Sequence, residues 1–100
     1  MVKTVVSVGL PVDERLKIRK QTLEAEGCDG KGKRICIVTG THGDELEGQY
    51  VCYELGRRVR EQMEHLKGTV EIYPSLNPLG MDSITRGIPM FDLDMNRIFP

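Results

Sequence analysis

Residues 34–45 read Arg-Ile-Cys-Ile-Val-Thr-Gly-Thr-His-Gly-Asp-Glu. The nearly continuous apolar run over 34–39 predicts a strand buried on both faces in a central sheet. After a glycine-rich turn, the sequence predicts a long helix from about residue 45 to residue 67. Its apolar stripe repeats at spacings of three and four and consists of Val51, Cys52, Leu55, Val59, Met63 and Leu66. A second strand is predicted over 69–73, so we expect a right-handed crossover between parallel strands.

The ends of this helix carry recognisable signals. Asp44 is predicted to cap the N-terminus, and Gly68 is predicted to close the C-terminus. Because the carboxyl ends of parallel strands share one sheet edge, the loop after 34–39 and the stretch after Tyr73 should meet there, where ligands bind in such sheets.

The remaining segments complete the predicted fold. The β-branched run over 4–8 predicts a strand. Residues 15–23 are ambiguous: their charges suit an exposed helix, but their apolar residues form no helical stripe. The alternation in Leu16-Lys-Ile-Arg19 favours a second strand paired with the first. Residues 75–100 show few regular patterns, which predicts a long loop. Such long loops are uncommon in compact domains and usually have a functional role. We therefore predict an α/β fold with a mixed, largely parallel sheet and a flanking helix.

Composition restricts the class of protein. The 100 residues suffice for a single small domain, and 14 basic against 15 acidic side chains give a net charge of −1. This balance gives no field that would attract nucleic acid or an anionic membrane, and no apolar run reaches the ~20 residues of a membrane span. Three cysteines without CxxC spacing, Cys28, Cys36 and Cys52, predict reduced thiols in a cytoplasmic protein. Cys36 and Cys52 lie in apolar patterns and are expected in the core.

His42 and Glu45 form the first candidate site. Imidazole nitrogen and carboxylate oxygen both bind zinc, and a catalytic zinc usually has three protein ligands and an open position. His65, Cys52 and Cys36 lie too far along the helix or strand to be the third ligand. A phosphate-binding loop is excluded, because the turn lacks the Gly-Lys-[Ser/Thr] pattern and its carboxylates would repel an anion.

A second group of polar residues follows near the C-terminus. It consists of Arg86 and the run Asp92-Leu-Asp-Met-Asn-Arg97. Arginine offers a planar fork that binds a carboxylate through two hydrogen bonds, and asparagine adds an amide donor. Beside a metal, these side chains would anchor an acidic substrate.

Three motifs together resemble the succinylglutamate desuccinylase/aspartoacylase family, zinc-dependent deacylases related to the zinc carboxypeptidases. They are Gly40-Thr-His-Gly-Asp-Glu45, Asn77-Pro78, and Asp94-Met-Asn-Arg-Ile-Phe-Pro100. The resemblance covers about residues 34–100 and implies a zinc-carboxypeptidase-like (phosphorylase/hydrolase-like) fold. It also implies that the chain is the N-terminal part of one catalytic domain.

The resemblance implies a role for each motif residue. His42 and Glu45 would bind Zn²⁺, and Asp94 would hydrogen-bond His42 and fix its tautomer. Arg86 would stabilise the oxyanion, and Asn96 with Arg97 would hold the carboxylate of an N-acyl amino acid. The third zinc ligand and the general base would lie beyond Pro100, so the chain alone is expected to be inactive.

Two other functions stay open at this point. A zinc carboxypeptidase acting on peptides would use the same Asn96–Arg97 pair for the peptide carboxylate. A non-catalytic binding module would keep the fold without the downstream histidine and glutamate. The acyl group, the amino acid and the oligomeric state do not follow from the sequence.

Overall fold

The computed structural model describes residues 2–89 and 93–99. Asp92 and Pro100, which flank or end the C-terminal motif, lie outside the described residues. The strands are β1 (Val2–Gly9), β2 (Arg15–Glu24), β3 (Arg34–Val38) and β4 (Thr69–Tyr73). The helices are α1 (Glu47–Glu61) and α2 (Pro78–Ser83), with 3₁₀ turns at Met63–His65 and Met95–Arg97.

The strands form one mixed sheet in the order β1-β2-β4-β3. β1 and β2 pair antiparallel, as the alternation in β2 predicts, and β2 pairs antiparallel with β4. β3 and β4 pair in parallel, with Ile35 opposite Val70 and Ile37 opposite Ile72. The mixed α/β fold and the parallel pair across α1 are therefore confirmed.

The core lies between α1 and one face of the sheet. Its buried members are Leu23, Cys52, Val70 and Ile72, and Ile37, Val59, Met63 and Leu66 pack against them. Ile72 is 2% exposed at the centre of β4. Since every second strand residue points to the same face, Val70 and Ile72 turn toward the helix while Glu71 turns away.

The opposite face of the sheet holds a buried carboxylate. Glu71 accepts a hydrogen bond from Lys20 Nζ at 2.9 Å and lies 3.0 Å from Arg34 Nε. The hydrogen bond to Lys20 lowers the pKa of Glu71, and the charge of Arg34 adds to the effect. The same hydrogen bond raises the pKa of Lys20. Two cations thus stabilise the charged form of Glu71 in the middle of the sheet.

The prediction that 34–39 is a central, doubly buried strand is wrong. β3 lies at the sheet edge and is mostly exposed, because β4 is its only partner strand among the described residues and takes the central position. Cys36, expected in the core, is exposed because it lies on the face of β3 turned away from α1. Cys52 is buried as predicted, and all three cysteines are unpaired.

The predicted bounds of the long helix are also wrong. α1 begins at Glu47 after Leu46, which makes no side-chain cap, so Asp44 is not the capping residue. α1 ends at Glu61, where Gln62 leaves the helical conformation and a 3₁₀ turn follows, so Gly68 does not close it. Val51 lies on the exposed side of α1, since the buried stripe is narrower than its periodicity suggests.

The segment after β4 is more regular than predicted. α2 begins at Pro78, a residue suited to the first helical position, and Asn77 caps it by accepting a hydrogen bond from the Gly80 amide at 3.0 Å. α2 ends at Ile84, which has the left-handed conformation with φ of 55°. The length of α2, only 6 residues, explains why no helical periodicity is visible there.

The chain exposes more surface than a self-contained domain of its size. Its accessible surface is 7285 Å² for a mass of 11.3 kDa, against about 5,700 Å² expected for a folded monomer. Its radius of gyration is 15.2 Å, against about 13 Å expected. None of the helices in the described part of the chain is both long and apolar enough to cross a membrane.

Candidate active site

The predicted site lies where β3 and β4 end side by side. Three backbone hydrogen bonds join the two exits: Thr39 N to Tyr73 O at 3.0 Å, Leu76 N to Thr39 O at 3.2 Å, and Asn77 N to Gly40 O at 3.0 Å. Gly40 has φ of +71°, and a β-carbon there would lie 2.7 Å from Ser75 Cα. The loop that carries His42 is therefore held directly against the segment that follows β4.

His42 lies between two carboxylates. Its Nε2 is 2.7 Å from Asp94 Oδ1, and its Nδ1 is 3.1 Å from Glu45 Oε2. The His42 side chain is only 10% exposed. When Nε2–H donates to Asp94, the lone pair of Nδ1 faces Glu45.

The same contacts shift the ionisation of the pair. The hydrogen bond from His42 lowers the pKa of Asp94, and the Asn96 backbone amide, which donates to Asp94 Oδ1 at 3.0 Å, lowers it further. The pKa of His42 is raised, chiefly by Asp94 and then by Glu45. Without a metal, the two carboxylates therefore favour the imidazolium.

Arg86 lies on the open side of this cluster. Its Nη1 is 3.5 Å from Glu45 Oε1, and its Nε is 3.5 Å from Asp94 Oδ2. Both distances are long for direct hydrogen bonds, and the Arg86 side chain is 52% exposed. The guanidinium is thus held near the carboxylates by charge and remains accessible to a ligand.

Asn96 and Arg97 lie on the 3₁₀ turn Met95–Arg97, directly after Asp94. Asp94 caps this turn, so the carboxylate that contacts His42 also fixes where the turn begins. Both side chains are exposed, and neither has a side-chain hydrogen bond or ion pair within 2–89 and 93–99. The structure therefore brings His42, Glu45, Arg86 and Asp94 together, and Asn96 and Arg97 follow Asp94 with exposed side chains.

The His42–Glu45 pair fits a shared zinc ion. Two ligand atoms of a tetrahedral zinc, each ~2.0–2.1 Å from the metal, are about 3.3 Å apart, close to the 3.1 Å between Nδ1 and Oε2. A cleft of about 630 Å³ runs along the loop of residues 38–48 and borders both side chains. Among the described residues no group of three or more His, Cys, Asp or Glu side chains is placed to hold a metal.

Asn77 is a residue of the site region whose role the sequence does not predict, although it belongs to the Asn77-Pro78 motif. Asn77 is 2% exposed and hydrogen-bonds both to the segment of Gly40 and Thr41 and to Gly87. The signal available in the sequence was an asparagine between a strand and a proline, which predicts a helix cap but not the contacts of its amide nitrogen.

Comparisons with known proteins agree with the motifs. Residues 31–100 match the model of the succinylglutamate desuccinylase/aspartoacylase catalytic domain. An aspartoacylase family protein from Mesorhizobium loti MAFF303099 is 27% identical, with a TM-score of 0.79 over 100% of this chain. A succinylglutamate desuccinylase/aspartoacylase from Rhodobacter sphaeroides is 29% identical, with a TM-score of 0.77 over 99% of this chain. No curated protein sequence matches the chain significantly.

The matches cover nearly all of this chain but only part of each solved structure. The chain spans 30% of the length of each of the two proteins. Because the family model matches from residue 31 to residue 100, it includes every motif residue of the candidate site. The chain belongs to the succinylglutamate desuccinylase/aspartoacylase family.

Proposed function

We propose that the chain contributes part of the active site of a zinc-dependent deacylase that hydrolyses the amide bond of an N-acyl amino acid. The observation that carries this proposal is the placement of His42 between Glu45 and Asp94. Membership of a family named for two deacylating hydrolases supports the class of reaction.

In this proposal His42 Nδ1 and a Glu45 carboxylate oxygen are two ligands of the zinc. A bound zinc lowers the pKa of a water and polarises the substrate carbonyl. Asp94 accepts a hydrogen bond from His42 Nε2–H, which holds the ring in place and increases the basicity of Nδ1. Nδ1 and the Glu45 carboxylate, which contact each other at 3.1 Å, would then hold the zinc between them.

The proposed substrate groups lie around this pair. Arg86, close to both carboxylates and half exposed, is placed to stabilise the negative charge that develops on the amide oxygen. Asn96 and Arg97 bind the α-carboxylate, with the arginine supplying two parallel hydrogen bonds. This division of roles rests on the family resemblance and on the exposure of both side chains.

The remaining parts of the proposed site stand outside these residues. We place the third zinc ligand, a histidine, and the general base, a glutamate, in sequence after Pro100, as the resemblance implies. The three unpaired cysteines support a reducing, cytoplasmic location. The small-molecule substrate is the partner that we propose, with neither nucleic acid nor membrane required.

The direct experiment uses a protein extended past Pro100. We expect it to purify with zinc and to release a carboxylate and an amino acid from N-acyl amino acids. Preferential cleavage of C-terminal residues from peptides would instead identify a carboxypeptidase. A folded protein that lacks zinc and any hydrolytic activity would refute the proposal and favour a binding module.

A further inference from the structure

The Asn77 side chain connects the two loops that carry the candidate site. It is 2% exposed and lies between the His42 loop, α2 and the segment of Arg86. We propose that Asn77 is a positioning residue, which fixes Arg86 relative to the His42–Glu45 pair through the hydrogen bonds of its amide group. This inference rests on the proposed function only for its catalytic consequence.

Asn77 is attached to the His42 loop at two points. Its backbone N–H donates to Gly40 O at 3.0 Å, and its Nδ2 donates to Thr41 O in a longer contact of 3.5 Å. Close packing reinforces the attachment. A β-carbon on Gly43 would overlap the Gly80 carbonyl and approach Met81 N within 2.6 Å, so the residue after His42 lies directly on α2.

The other attachments of Asn77 lead to Arg86. Nδ2 donates to Gly87 O at 2.9 Å, one residue beyond Arg86, while Oδ1 accepts from Gly80 N at 3.0 Å and caps α2. The segment between α2 and Arg86 contains Ile84 at φ of 55°, which is a strained conformation for a β-branched residue. A strained segment persists only when its surroundings hold it, and the bond to Gly87 O is one of those that do.

The chemistry of this position requires an amide rather than a cap alone. A cap needs only an acceptor, so aspartate or serine would serve α2 equally well. Here the side chain also donates to Gly87 O at 2.9 Å and lies 3.5 Å from Thr41 O with the same nitrogen, and only asparagine at this length combines a capping oxygen with such a donor. A carboxylate in the same place would put an acceptor oxygen against Gly87 O and Thr41 O, and these oxygens would repel it. Gly87 O would then keep only the hydrogen bond from the Thr85 hydroxyl, at 3.2 Å.

The consequence for the site concerns the position of the guanidinium. Arg86 makes only long contacts, both 3.5 Å, with Glu45 and Asp94. Its location therefore depends on its backbone more than on its side-chain partners. A misplacement of about 1 Å in a catalytic site costs on the order of 100-fold in rate, so loosening the Gly87 bond should lower turnover while Asn96 and Arg97 still bind substrate.

The test compares Asn77→Asp, which keeps the cap and loses the donor, with Asp82→Asn as the control on α2. Asp82 is exposed on α2, and its side chain makes no hydrogen bond or ion pair within residues 2–89 and 93–99. Amide hydrogen exchange should become faster in both 40–43 and 85–88 in Asn77→Asp and stay unchanged in Asp82→Asn. Asn77→Ser, which keeps a capping oxygen without a charge, replaces the aspartate variant if that variant does not fold.

In a protein extended past Pro100, Asn77→Asp should lower kcat by about 10- to 100-fold, with zinc content and KM near those of the unaltered protein. Unchanged exchange in both loops, or a loss of activity that only follows a loss of zinc, would overturn the inference. Faster exchange in a protein that hydrolyses no N-acyl amino acid would refute the proposed function and leave the role of Asn77 as the connection between the two loops supported.

Discussion

Gly40 combines two features that make alanine costly at the start of the His42 loop. Its φ is +71°, and an added β-carbon would lie 2.7 Å from Ser75 Cα and 2.9 Å from Pro74 O. The left-handed conformation costs an L-residue about 1–2 kcal/mol. Overpacking against backbone that cannot rotate away adds about 1–3 kcal/mol. We therefore expect Gly40→Ala to lower the free energy of unfolding by about 2–5 kcal/mol, the sum of the two terms.

Gly27→Ala is the matched control. Gly27 has φ of +78° and nothing within 4 Å of an added β-carbon, so only the conformational term applies and the loss should be about 1–2 kcal/mol. Urea unfolding followed by circular dichroism measures both variants. The two losses in the free energy of unfolding should differ by about 1–3 kcal/mol, and this difference measures how tightly the His42 loop packs on the segment after β4. Equal losses in the two variants would refute the contact between the two strand exits.

Three further predictions test the core, the buried carboxylate and the histidine. Ile72→Ala should cost about 2–5 kcal/mol in urea unfolding because it leaves a cavity in the centre of β4; a loss below about 1 kcal/mol would mean that the core is not closed. Lys20 lowers the pKa of Glu71 in the folded protein. The contribution of Glu71 to the free energy of unfolding is therefore fully present above its pKa in the unfolded chain, ~4.3, and is lost as the pH falls through the lower pKa of the folded protein. Glu71→Gln should remove this part of the acid dependence of stability, and an unaltered pH profile would contradict the ion pair. Asp94→Asn should lower the pKa of His42 in an NMR titration, because the contact that contributes most to raising it is gone; an unchanged His42 pKa would contradict that contact.

The strand–helix–strand unit could be predicted because its signals are local. The β-branched runs in β1 and β4 and the alternation in β2 are intrinsic to each segment, and the parallel pairing of β3 with β4 follows from the intervening helix. The position of β3 could not be predicted, because an apolar run shows that a strand is suited to burial and not which neighbours it has. In these residues β4 has two partner strands and β3 has one.

The predicted ends of the long helix were wrong for a related reason. The stripe continues through Met63 and Leu66, and both pack on the core as the periodicity indicates. Met63 belongs to the 3₁₀ turn Met63–His65 and Leu66 directly follows it, so neither lies on α1 itself. Periodicity reports which side chains face the core, and the backbone that presents them changes at Gln62 without breaking the pattern.

The sequence predicts the residues of the candidate site but not how they lie relative to one another. Short motifs identified His42, Glu45 and Asp94, and the structure brings all three into contact. His42 and Asp94 are 52 residues apart in the sequence. Their contact depends on β3 and β4 ending at one sheet edge. The part of Asn77 was not predictable, because it depends on where Thr41 O and Gly87 O lie after folding.

The zinc content of the protein extended past Pro100 tests the central claim most directly. Metal analysis of the purified protein and of its His42→Ala variant should show stoichiometric zinc in the first and none bound in the second, with hydrolysis of N-acyl amino acids lost in parallel. His65→Ala is the matched control, since the side chain of His65 is exposed and 74% accessible on the 3₁₀ turn after α1. Unchanged zinc stoichiometry in His42→Ala would contradict the assignment of His42 as a ligand and, with it, the proposed site.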